Sequence, residues 1–80
     1  MKTNNVNETL LILAKELIEN VTEPITMDEN LKNIGFNSLI FVKLVVSIED
    51  TFQFTFDDEM LDYNRYKTLR DISDYIQARI

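Results

Sequence analysis

The stretch Gly35-Phe36-Asn37-Ser38-Leu39 holds the only glycine of the chain and sets a serine directly ahead of the apolar run Leu39-Ile40-Phe41-Val42. Each residue has a physical job in starting a helix. Glycine turns the chain sharply because it enters backbone conformations that side chains disfavour. Asparagine is a strong helix cap, its side-chain oxygen accepting from an amide of the first turn that has no partner within the helix. A helix from Ser38 to about Phe52 is therefore expected. Serine at a helix start is most often itself the cap, but here Asn37 supplies that oxygen. The Ser38 hydroxyl is left spare.

The helix that follows is greasier than its core requires. Phe41, Leu44, Val45, Ile48 and Phe52 recur at three- and four-residue steps and form one inward stripe. Leu39, Val42 and Val46 make a second stripe beside Ser38, and Ile40 falls on a further face. A helix apolar nearly all round is normally buried on every side. Three short companions cannot bury all of this one, so the second stripe reads as a partner surface, unless the long loop ahead of it lies across.

Outward from this helix the pattern is all-α. Leu10, Leu13, Ala14, Leu17, Ile18 and Val21 lie on one face of a helix from about Asn5 to Asn20, capped by Asn5 or Asn7. Residues 22–37 form a long loop with Pro24 near its start. Its apolar members Ile25, Met27, Leu31, Ile34 and Phe36 predict that it packs down, with one helical turn over Leu31–Ile34. Phe52-Gln53-Phe54-Thr55-Phe56 alternates like a strand but has no partner strand, so it reads as an extended linker. Asp57 or Asp58 caps a short helix to about Tyr63. Thr68-Leu69-Arg70-Asp71 resembles a capping box and opens a last helix with Leu69, Ile72, Ile76 and Ile80 on one face. The expected fold is a small four-helix bundle, three main helices plus one short one, with a long loop between the first two. Residues 1–80 make a single domain.

Composition narrows the function. An 80-residue domain buries only about 60% of the surface its unfolded chain exposes. With no cysteine, no disulfide supports it, and a cytoplasmic setting is expected. No segment suits a membrane span or a signal peptide. The net charge is −6, and between Glu8 and Asp62 there are 12 acidic residues against three basic ones, which disfavours nucleic acid. No histidine or cysteine is present, so a Ser-His-Asp triad, a Cys-His pair and a typical zinc set are excluded. Lys43, five residues from Ser38, lies off the serine's helix face and is no base for it. The expectation is no catalytic residue and no metal. Ser38 makes better sense as a hydroxyl that another protein modifies. Glu49 and Asp50 at the end of the second helix oppose its macrodipole, which suggests an acidic edge that steers partners.

Gly35-Phe36-Asn37-Ser38-Leu39 resembles the G-x-D-S-L motif of acyl carrier proteins and peptidyl carrier domains. Phe41 to Phe52 is similar to that family's second helix, Phe52-x-Phe54-x-Phe56-Asp57-Asp58 to the segment after it, and Thr68-Leu69-Arg70-Asp71-Ile72 to its final-helix entry. The resemblance implies 4′-phosphopantetheine, taken from coenzyme A by a magnesium-dependent phosphopantetheinyl transferase and attached to Ser38. Its thiol would carry acyl or aminoacyl groups as thioesters between loading and condensing enzymes, with the protein a monomer. The implied docking residues are Asn37, Leu39, Val42, Val46, Glu49 and Asp50. Asn37 in place of Asp, Ile40 and Lys43 in place of polar or acidic residues, and Gln53 in place of Gly depart from the family pattern. They lean toward a polyketide, nonribosomal peptide or specialised fatty-acyl pathway. The alternative is an unmodified interaction module on the same fold, docking through the Leu39-Val42-Val46 stripe.

Overall fold

The computed structural model describes residues 6–18 and 25–80. Within them lie three α-helices, α1 (Val6–Leu17), α2 (Ser38–Phe52) and α3 (Leu69–Arg79). Single 3₁₀ turns occupy Leu31–Ile34, Asp58–Met60 and Tyr63–Arg65, and there is no strand among the described residues. Helix α1 packs against both α2 and α3. Val6, Leu10 and Ala14 from α1, Phe41, Leu44, Val45 and Ile48 from α2, and Leu69, Ile72 and Ile76 from α3 make the helical part of the core.

The helices alone do not close that core. Ile25, Met27, Leu31 and Phe36 from the long loop, with Phe56 and Tyr66 from the later connections, are all buried in it. The loop is pinned to the start of α3 by backbone bonds from Leu31 N to Lys67 O (2.8 Å) and from Arg70 N to Met27 O (2.9 Å). The second of these gives an orphan amide of the α3 first turn its acceptor. The Arg70 guanidinium adds a two-pronged contact to Asp28, at 2.6 and 3.2 Å. Hydrogen bonding from Arg70 holds the Asp28 carboxyl below its ordinary pKa, and the same contact raises Arg70.

Several expectations take a different form. Asn7 lies inside α1 and caps nothing; its side chain accepts from the buried Ser73 hydroxyl of α3. Asn5, Asn20, Val21 and Pro24 fall outside the described residues. The segment expected as one short helix from Asp57 or Asp58 is two 3₁₀ turns. Asp57 makes no capping bond there, because its carboxylate is paired with Arg79 at 3.0 Å. Ile80 is exposed, since residues 77–80 all run past the packed core, which ends at Ile76. At Thr68 the capping half of the box forms. Thr68 Oγ1 accepts from Asp71 N (3.3 Å), while the Asp71 carboxylate reaches one residue further back than expected, to Lys67 N (2.9 Å).

The burial pattern sets the cost of truncation. Leu44 and Ile48 are wholly buried, so Leu44→Ala and Ile48→Ala should each lower unfolding free energy by about 2–5 kcal/mol in denaturant titration. Val46, 61% exposed, should lose well under 1 kcal/mol as Val46→Ala. The loop clamp should respond to acid. A carboxyl with a lowered folded pKa stabilises above its unfolded value of 3.8 and loses that contribution as pH falls through the folded one. NMR titration should therefore show Asp28 protonating below its normal range, and Arg70→Gln should move it back up.

Candidate functional site

The approach to Ser38 is built by three successive residues. Gly35 sits at φ +84°, the left-handed region, where it ends the Leu31–Ile34 turn. A Cβ placed there would meet nothing closer than Ile18 Cγ2 at 4.0 Å, so conformation rather than space calls for glycine. Phe36 is buried and its amide bonds Leu31 O at 3.2 Å. Asn37 is extended, its Oδ1 accepting from Ile40 N at 2.9 Å and its carbonyl from Phe41 N at 2.9 Å. Both of its oxygens thus serve the first turn of α2.

Ser38 is the first residue of α2, exposed, and its hydroxyl makes no hydrogen bond among the described residues. The first turn of α2 carries no acidic residue. The positive end of a 15-residue helix is therefore not offset at the serine. Backbone amides near a helix start favour phosphate oxygens, so a phosphodiester on Ser38 suits this position. Beneath the loop lies an aromatic cluster. Phe41 stands 6.3 Å from Phe36 edge-on, and 6.1 and 5.5 Å from Tyr63 and Tyr66 between ring centres. Burial pushes the Tyr66 phenol up to about 12, and its hydroxyl donates to Met60 O at 2.8 Å.

The second stripe is exposed: Leu39 is 63%, Val42 57% and Val46 61% accessible, and the loop does not lie over them. Ile40 is half-buried against the core and is not part of this face. Lys43 is exposed beside the stripe. The two carboxylates at the end of α2 part company. Asp50 is exposed, whereas half-buried Glu49 accepts from Phe56 N at 2.9 Å. That bond fastens the extended segment 53–56 back onto α2. It gives Glu49 a structural task that its place at a helix C-terminus did not reveal. Tyr63, whose hydroxyl donates to Phe36 O at 3.0 Å, went unnoticed in the sequence because its partner lies 27 residues away.

Comparison with known proteins agrees with this geometry. Residues 8–76 match the family described as a phosphopantetheine attachment site. The chain is 32% identical to the acyl carrier protein of Coprothermobacter proteolyticus, an alignment covering all of this chain and 96% of that one. It is also 32% identical to the acyl carrier protein of Exiguobacterium sibiricum, over 85% of this chain and 84% of the relative. No solved structure matches the chain. The chain belongs to the acyl carrier protein family, whose prosthetic group is 4′-phosphopantetheine. It is a non-catalytic carrier, and the family works with phosphopantetheinyl transferases and acyl-handling enzymes.

The Glu49 contact can be measured directly. Glu49→Ala leaves the Phe56 amide without its acceptor and should cost about 1–3 kcal/mol, with faster hydrogen exchange at that amide. Glu49→Gln keeps a side-chain carbonyl in reach and should cost less than half as much in the same denaturant experiment.

Proposed function

We propose that Ser38 is the residue that carries 4′-phosphopantetheine, and that the chain hands acyl or aminoacyl thioesters between enzymes of a polyketide, nonribosomal peptide or specialised fatty-acyl pathway. The observation that carries the attachment is the division of labour at the start of α2. Asn37 provides the cap oxygen, and Ser38 is exposed with its hydroxyl uncommitted among the described residues. In the transfer the Ser38 oxygen forms a bond to the phosphorus that bears the pantetheine. The pyrophosphate link of coenzyme A breaks, the nucleotide half leaves, and the serine proton passes to the transferase or solvent. The chain has no histidine or cysteine, and no base of its own is assigned to take that proton. The group supplies the thiol that this sequence lacks.

The residues of this chain present and dock. Leu39, Val42 and Val46 form the apolar part of the docking surface, Asn37 flanks the attachment point, and Asp50 lies at the far end with Glu49 behind it. The first eleven residues of α2, Ser38 to Ile48, bear one charge, the cation of Lys43. Asn37 and Ile40 likewise add no acid. A partner that needs a strongly acidic face near the serine is poorly served, which favours a specialised pathway. The chain works as a single-domain monomer in the cytoplasm. Among the described residues no helix is long and apolar enough to cross a membrane.

Mass spectrometry tests the assignment. With coenzyme A, magnesium and a broad-specificity transferase, the protein should gain one phosphopantetheine mass and Ser38→Ala none. Asn37→Asp keeps a cap oxygen and should retain both fold and modification. A wild type left unmodified by several such transferases would instead favour an unmodified interaction module docking through the α2 stripe.

A further inference from the structure

Tyr63 lies on the last 3₁₀ turn, far from Ser38 in sequence, yet it contacts both sides of the serine. Its hydroxyl donates to the carbonyl of Phe36 at 3.0 Å. Its ring centre is 5.6 Å from that of Phe36 and 6.1 Å from that of Phe41. Phe36 precedes Ser38 by two residues and Phe41 follows it by three. One side chain therefore braces the loop that enters α2 and the first turn of α2 itself.

The bonded carbonyl belongs to the peptide unit between Phe36 and Asn37. A peptide unit is planar, so holding its oxygen also sets the direction of the Asn37 amide. The amide of Phe36 is already tied to Leu31 O at 3.2 Å. With the carbonyl tied as well, the Phe36 backbone is fixed on both sides. Asn37 then has the extended geometry, φ −146° and ψ 179°, from which its side chain reaches Ile40 N.

We propose that Tyr63 is a positioning residue for the chemistry at Ser38: its hydroxyl locks the Phe36–Asn37 peptide plane so that the serine oxygen is presented at a fixed bearing to the modifying enzyme. This rests on Ser38 being the attachment residue. The physical ground is that group transfer demands tight alignment of the reacting atoms. A loop free to rock about Phe36 would meet that demand only part of the time. Docking is a separate matter, because the Leu39-Val42-Val46 stripe lies on the helix beyond the loop.

Tyr66 provides a matched control within the same cluster. Its hydroxyl also donates to a backbone carbonyl, that of Met60, and among the described residues makes no hydrogen bond to the serine loop. Tyr63→Phe and Tyr66→Phe each remove one hydroxyl and keep the ring. Transfer from coenzyme A by a broad-specificity transferase, followed by intact mass, gives kcat and KM for each variant. Tyr63→Phe should lower kcat about three- to tenfold, the worth of one hydrogen bond, with KM unchanged. Tyr66→Phe should lower Tm and leave kcat alone. Hydrogen exchange in the unmodified protein should quicken at the amides of Phe36 and Ile40 in Tyr63→Phe only. Wild-type kcat in Tyr63→Phe, or equal losses in both variants that follow Tm, would overturn the positioning role. A wild type that is never modified would sink the Ser38 assignment instead. Exchange then decides for Tyr63: unchanged rates at those amides overturn its hold on the loop, and quickening in Tyr63→Phe alone sustains it.

Discussion

The shortage of helix is the constraint from which the rest of the structure follows. Among the described residues, three helices of 12, 15 and 11 residues must shelter the inward face of α2 with no disulfide to assist. A domain of this size has a net stability of only about 4–12 kcal/mol, so leaving a few large side chains wet would unfold it. The connections are therefore recruited as walls. Phe36 and Tyr66 pack around Phe41, Phe56 packs beside Phe54 and Tyr75, and backbone hydrogen bonds from Leu31 to Lys67 and from Arg70 to Met27 hold the long loop in place. A loop drawn in this way loses the freedom that loops usually keep. The turn at Gly35, at φ +84°, leads from this packed loop into α2.

What was legible in the sequence was whatever depends on near neighbours. The bounds of α2 follow from the Asn37 cap and a three- and four-residue apolar step, and the helix runs from Ser38 to Phe52 as expected. The Thr68 cap and the turn over Leu31–Ile34 were readable for the same reason. The second stripe was readable too, by subtraction of one apolar face from a helix that has two. What escaped were bonds between residues far apart. Asn7 looked like a cap and is an acceptor for Ser73, 66 residues on. Glu49 looked like a carboxylate set against its helix dipole. It is the acceptor for an amide seven residues ahead, available only once segment 53–56 folds back. Asp57 looked like a cap and is drawn off by Arg79. In each case a local preference lost to a partner that only the tertiary fold supplies.

Segment 53–66 shows how a pattern can point to the wrong element and still report burial correctly. Its alternating phenylalanines would suit a strand, yet the alternation serves to drop Phe56 into the core and pack Phe54 beside it at 5.3 Å. Gln53 opens this segment at φ +58°, the only non-glycine residue with positive φ among those described. A left-handed residue at a helix end is favoured because its amide can recover a free carbonyl, and Gln53 N reaches Glu49 O at 3.0 Å. Side chains other than glycine tolerate that region poorly, at about 1–2 kcal/mol. The side chain of Gln53 recovers part of this through a bond to Asp50 O. The end of α2 thus carries some strain, held by the Glu49 contact to Phe56.

The two ends of α2 consequently do opposite things with their polar groups. At the start, Asn37 satisfies the helix and leaves Ser38 unoccupied; at the end, Glu49 and Gln53 are consumed in fixing the chain that follows. Between them the exposed face offers Leu39, Val42 and Val46 with the cation of Lys43 beside them. Apolar area without directional polar groups would suit the docking surface proposed for it, one that releases each partner after use. Specificity on such a face comes from its few charges, since electrostatic complementarity governs encounter rate and the rejection of wrong partners more than raw affinity. For this chain the charge nearest the serine along the exposed face of α2 is positive, although the protein as a whole is acidic. If the α2 face docks partners as proposed, the overall acidic field would favour basic ones at a distance, and the local face would discriminate among them on contact. The two effects act at different ranges, because the long-range field is screened over about 8 Å at physiological salt while a contact at Lys43 is not.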